Sequence, residues 1–128
     1  MAGEARRRRL RALLRKAHVV PTDLAPFELA FVHESAARER HKKSNERLEF
    51  LGDAVAGLAA ASWLFEQHPD ASEGWLTARK AAIVRDSSLA VTALRLGFSD
   101  LIELGSGLER SGGAENKTGQ ESDASSEK

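Results

Sequence analysis

Cysteine is absent from the 128 residues, which excludes disulfides and thiolate metal sites. That composition fits a reducing compartment, and a cytoplasmic location is the expectation. Long apolar runs are scarce. The longest, residues 54–65, has 12 residues, against the roughly 20 that a membrane span requires, so no membrane contact is expected. No apolar run follows the basic N-terminus, which argues against a secretory signal. Alternating β-branched residues never develop, so strands are not expected. A chain of 128 residues has room for one domain with a modest core.

Net charge is zero overall but unevenly spread. Residues 1–43 carry 11 Lys/Arg against 5 Asp/Glu (+6); residues 44–102 carry 5 against 8 (−3); residues 103–128 carry 3 against 6 (−3). Two readings of the basic run Arg6, Arg7, Arg8 and Arg9 stand. It meets phosphates, with affinity that falls as salt rises, or it solvates a helix start.

The rest of the chain reads as all-α. Leu10, Leu13, Leu14 and Ala17 have helical spacing within 4–17, and Val20 before Pro21 ends that helix. A second helix starts near Pro26, placing Leu29, Ala30 and His33 on one face, with His33 a core histidine rather than a ligand. Residues 38–43 form a charged link. Ser44 or Asn45 caps the next helix, which His68, Pro69 and Asp70 stop. Ser72 caps a further helix with Glu73 in its first turn, and Asp86 or Ser87 caps another, closed by Gly97. The boundary falls at residue 104: a helical domain over 1–104, then a polar tail over 105–128 in which Leu108 is the only large apolar residue. Such a tail buries too little surface to offset its ordering entropy and is expected to be flexible.

The centre of the chain is the run NERLEFLGD, residues 45–53. Glu46, Glu49 and Asp53 are spaced i, i+3, i+7, within about 60° of arc on one helical face. Leu48, Leu51, Val55 and Leu58 fall opposite and are expected to enter a core. Three stacked carboxylates repel one another, and a hard divalent cation would relieve them. The plainer alternative is a solvated acidic face near a helix N-terminus. Residues 54–65, however, are apolar on nearly every side, so Gly57, Ala60 and Leu64 continue the acidic stripe as buried surface. The acids then sit where a buried helix emerges.

NERLEFLGDAV closely resembles the signature of the ribonuclease III family, magnesium-dependent nucleases of double-stranded RNA. Phe31-Val32-His33-Glu34-Ser35 is similar to its T-H-x-S segment, with Val32 where threonine is usual. Glu73-Gly74-Trp75-Leu76-Thr77, followed by Ala82-Ile83-Val84, is similar to its E-G-x-L-[ST] helix. Leu104-Gly105-Ser106-Gly107 and Ser111-Gly112-Gly113 resemble its glycine-rich segments, so the likeness runs from about residue 10 to about 113. The resemblance implies a ribonuclease III-type helical domain and a metal-dependent endoribonuclease acting in RNA processing. Glu49 and Asp53 would be ligands to Mg2+, for which Mn2+ could substitute. Asp53 would also serve the catalytic step, with Glu46 in support and Glu73 near the subunit interface and the RNA. A homodimer is implied; Phe50, Trp63 and Leu64 either supply part of its face or pack into the core, the commoner fate of such residues.

Two departures stand out. The family's second acidic pair, on an A-D-x-x-E-A helix after S-G-G, has no counterpart; Asp123 and Glu127 lie in the polar tail without apolar periodicity. The family's double-stranded-RNA-binding domain is absent too. The chain reads as a catalytic domain interrupted before its last helix or helices. That leaves an endoribonuclease, incomplete in practice, set against a catalytically inactive RNA-binding or scaffold module of the same descent. Retention of Glu46, Glu49, Asp53 and Glu73 together favours the first, and a plain helical interaction domain leaves the acidic stripe unexplained.

Overall fold

A computed structural model describes residues 2–110 of the chain. It contains helices α1 (Ala2–Lys16), α2 (Ala25–Ala30), α3 (Glu34–Glu39), α4 (Glu46–Gln67), α5 (Glu73–Val84) and α6 (Asp86–Arg95), then a 3-10 turn at Phe98–Asp100. Among the described residues no strand forms, and the only bridge is an isolated parallel one between Val32 and Glu103. The fold is all-α, as the spacing of its apolar residues indicated. The Ser111-Gly112-Gly113 segment, Asp123 and Glu127 lie outside the described residues.

The packed core belongs to the N-terminal third and to the chain returning after α6. Leu10 and Leu14, one turn apart on α1, are buried with Leu101, and Leu13, Leu24, Phe27 and Phe31 close around them. Phe98 meets Phe31 edge to face at 5.2 Å. Pro26 sits in the first turn of α2, where its missing N–H costs nothing. Gly97 follows α6 in the left-handed region at φ 77°, where any other residue would be strained.

The returning chain is clasped to α2 and α3. Glu103 N–H donates to the Phe31 carbonyl at 2.7 Å, and His33 N–H donates to the Glu103 carbonyl at 3.0 Å. Gly105 N–H donates to Ser35 Oγ at 2.9 Å. Gly105 is buried, and a Cβ there would stand 3.0 Å from the Ser35 carbonyl oxygen, so the close approach needs glycine. Residues 106–110 are helical, with Ser106 N–H donating to Glu39 Oε2 at 2.8 Å. Packing therefore does not stop at the 104/105 boundary, because backbone hydrogen bonds to α3 hold a segment that has little apolar surface of its own.

Glu103 ties the body together electrostatically. Its carboxylate accepts from Arg6 of α1, from Arg40 Nη1 at 2.7 Å and from Lys42. Arg6 also reaches the Leu101 carbonyl at 2.9 Å, while Arg7 pairs with Glu28. Half of the N-terminal arginine run is thus structural, and Arg8 and Arg9 remain exposed.

The long helix α4 behaves differently. Ala60 and Leu64 are buried, and Gly57 is half-buried on the same stripe, as expected of the surface continuing the acidic face. Of the opposite face, Leu48 is half-buried, and the other three residues do not enter a core. Leu51 is 60% exposed, Val55 59% and Leu58 69%, because no described element lies over them. Helical spacing shows that a face is apolar without showing what covers it. Among the described residues, α4 alone is long and apolar enough to cross a membrane by length and composition, with 11% of its most apolar stretch buried. The count of unbroken apolar residues stops at Asp53 and so does not register this, whereas the mean hydropathy of the helix averages over Glu49 and Asp53.

Candidate functional site

The acidic helix is aimed by Asn45. Its backbone N–H donates to the Val32 carbonyl at 2.9 Å, and its side-chain Nδ2 donates to the Ala30 carbonyl at 3.0 Å. Asn45 therefore fastens α4 to the α2–α3 junction instead of capping it with its side chain. Ser44 takes the local role, with Oγ donating to Glu46 Oε2 at 2.8 Å and accepting from Glu46 N–H at 3.4 Å. His33 is exposed, not buried: it caps α3, its Nδ1 accepting from Ser35 N–H at 3.1 Å. It stays outside the acidic site, although the core position expected for it is not what the structure shows.

Glu46, Glu49 and Asp53 are all exposed along α4. The carboxylates of Glu49 and Asp53 have no hydrogen-bond or ion-pair partner among the described residues, and Glu46 has only Ser44. The stripe carries like charge with no protein cation to relieve it. Basic residues sit at its rim instead. Lys43 and Arg47 share a groove with Glu46, and Arg38, His41 and Lys42 line a second groove that also holds Glu46, with Arg38 paired to Glu34 and Lys42 to Glu103. An acidic strip between cationic shoulders suits a metal ion on the acids and an anionic backbone on the shoulders.

Glu73 is not brought to this strip. A five-residue turn, 68–72, joins α4 to α5, so Glu73 lies at the far end of α4. Fourteen residues separate Asp53 from Gln67, which is about 21 Å along a helix. Glu73 accepts from Thr77 Oγ1 at 2.9 Å, and Ser72 caps its helix by accepting from Trp75 N–H at 3.2 Å. Among the described residues no group of three His, Asp or Glu side chains converges well enough to hold a metal ion. Two candidate ligands one helical turn apart are present, and a complete cage is not.

Glu103 and Asn45 organise the site from outside and were not singled out by their sequence. Asn45 stood at a helix start and read as a cap. For Glu103 the one signal was a surplus of arginines on α1 that needed a counter-charge. Burial pushes the Glu103 carboxyl up, but the Lys42 hydrogen bond and the charges of Arg6, Lys42 and Arg40 outweigh it and hold its pKa below the ordinary value.

Comparison with known proteins supplies the context. The Ribonuclease-III-like family pattern matches residues 25–123. Ribonuclease 3 of Moorella thermoacetica is 46% identical over 99 residues, covering 77% of this chain and 42% of that protein. Ribonuclease 3 of Anoxybacillus flavithermus is 52% identical over 87 residues, covering 66% of this chain and 37% of that one. The chain thus spans about two-fifths of these curated relatives. The nuclease domain of ribonuclease III from Campylobacter jejuni superimposes with a TM-score of 0.71 at 34% identity, over 79% of this chain and 68% of that one. Structural flexibility is described in that protein in the region involved in dimer formation.

Proposed function

The chain belongs to the ribonuclease III family, and from that premise we propose that it is the signature-helix portion of a divalent-ion-dependent endoribonuclease. Its reaction is hydrolysis of phosphodiester bonds in double-stranded RNA, as a step of RNA processing in the cytoplasm. The observation that carries this reading is the unpaired stripe of Glu49 and Asp53, held out from the body by Asn45 and bordered by Lys43 and Arg47. Glu49 and Asp53 are the chain's contribution to a Mg2+ site that Mn2+ would also fill. Asp53 and Glu46 are its catalytic carboxylates; Glu73, at the far end of α4, acts not on that strip but near a subunit interface. The described residues do not complete the site, since no third ligand converges on the pair. Missing ligands cost more than misplaced ones, and a displacement of about 1 Å already costs on the order of 100-fold in rate.

The uncovered side of α4 supports a partner layer. A stretch apolar on nearly every side, as residues 54–65 are, belongs inside a structure, yet Leu58 is 69% exposed and Phe65 73%. A homodimer is the arrangement proposed for part of that surface. Glu49 and Asp53 within the most apolar stretch of α4 argue against a bilayer as its cover, because buried carboxylates are costly there.

A catalytically inactive RNA-binding or scaffold module is the second reading, favoured by the lack of a converged acid cluster. Long duplex RNA with magnesium separates the two. The chain alone leaves it nearly uncut. Adding a polypeptide equivalent to the remaining third of the Campylobacter jejuni nuclease domain restores cutting, and Asp53→Asn abolishes it. A mixture that binds the duplex but never cuts establishes the scaffold reading instead.

A further inference from the structure

At the end of α4 remote from the acids, three aromatic rings and a guanidinium line a groove of about 610 Å³ between α4, α5 and α6. His68 packs edge to face against Trp63 with centroids 6.1 Å apart, and lies 4.8 Å from Trp75. Arg79 sits over the Trp75 ring at 5.1 Å from its centroid. Trp75 is thereby fixed between His68 and Arg79, while Trp63 remains 55% exposed. Among the described residues Arg79 has no ion pair or hydrogen bond, so its donors are uncommitted. No carboxylate lines the groove.

This combination selects its ligand. An aromatic cage for a cation needs free ring faces and negative surroundings; here a guanidinium already occupies the Trp75 face. A purely apolar ligand would leave the Arg79 donors unanswered. A flat aromatic group bearing an anion answers both, the ring stacking on Trp63 and the anion meeting Arg79. We propose that this groove is a binding site for an unpaired nucleotide of a single-stranded RNA segment, its base on Trp63 and its phosphate on Arg79. The choice of a ribonucleotide strand rests on the ribonuclease reading, whereas the stacking and charge chemistry do not. The site would hold the single-stranded flank of a duplex, well away from the acidic strip.

The chain has two tryptophans and no tyrosine, so its intrinsic fluorescence reports on this groove alone. Titrate the full chain with a single-stranded pentanucleotide, a nucleoside monophosphate and a blunt duplex, in a chelator so that cleavage plays no part. Saturable quenching by the pentanucleotide, much weaker with the monophosphate and absent with the duplex, is the expected result. Arg79→Gln, an exposed change that spares the fold, should weaken binding at least about 5-fold and flatten its salt dependence. Trp63→Leu, followed by salt-dependent binding of a labelled strand, should weaken it by roughly 5- to 150-fold, the range of one base–aromatic stack. Quenching no greater than that of free tryptophan, equal binding of monophosphate and strand, or indifference to Arg79→Gln would overturn the proposal. Because no metal is present, failure of the groove and failure of the nuclease reading give different results.

Discussion

The body formed by α1, α2, α3 and residues 98–105 and the hairpin of α4 and α5 are both rich in leucine, alanine and aromatic residues, but they use them differently. In the body, Leu10, Leu14, Val32, Ala36, Ala37 and Leu101 are buried, and polar ties from Glu103, Ser35 and Asn45 cross between segments far apart in sequence. In the hairpin, only Ala60 and Leu64 are buried, and Phe50, Leu51, Val55 and Leu58 face outward. The body has its layers; the hairpin has one face packed and another bare. Apolar periodicity is the same signal in both, and only the supply of a covering element distinguishes them. The hairpin is also where the signature acids lie, so the unfinished region and the candidate chemistry coincide.

Truncation should separate the two regions most sharply. Leu10→Ala or Leu101→Ala should cost about 2–5 kcal/mol in urea unfolding, as buried leucines do. Leu58→Ala should stay within about 0.5 kcal/mol, as exposed sites do. A large loss at Leu58 would mean that a further layer already covers α4 in solution. Next in size, Gly105→Ala should destabilise by about 1–3 kcal/mol, since its methyl group meets the Ser35 carbonyl and the returning segment cannot retreat without breaking the clasp. Denaturant midpoints would show it.

Acid should act on the body before it acts on the hairpin. The Glu103 carboxyl has a folded-state pKa below its ordinary 4.5, so its contribution is fully present above that value and is lost as pH falls through the lower folded value. Unfolding midpoints of the native chain should therefore drop below about pH 4.5, more steeply than those of Glu103→Gln, which should lose on the order of 1 kcal/mol at neutral pH. Parallel pH profiles for the two proteins would remove Glu103 from the account. The smallest effect should be at the acids themselves. Calorimetric titration with Mn2+ should show weak binding that Asp53→Asn weakens further, because an incomplete ligand set is poorly preorganised. Identical titrations would detach Asp53 from the ion.

Local chemistry was legible. Ser72 as a cap, Pro26 at a helix start, Gly97 as a left-handed stop and the burial of Ala60 and Leu64 below the acids all follow from spacing and residue type. Long-range ties were not. Arg6 and Glu103 are 97 residues apart, and no periodicity links them. Residues 34–39 form their own helix because His33 caps it through Ser35, so Arg38 and Glu39, read as the start of a charged link, belong to its last turn. The outward turn of Leu51, Val55 and Leu58 was not legible, because periodicity marks a face as apolar without naming what covers it.

Residue-resolved amide hydrogen exchange, with and without a polypeptide supplying the remaining third of a family nuclease domain, tests the contrast between body and hairpin most directly. In the chain alone, residues 50–58 of α4 should exchange through openings of much lower free energy than residues 10–14 of α1. The added polypeptide should slow exchange in α4 while leaving α1 nearly unchanged. If α4 is as protected as α1 in the chain alone, the hairpin is already complete and the account of an uncovered signature helix is wrong.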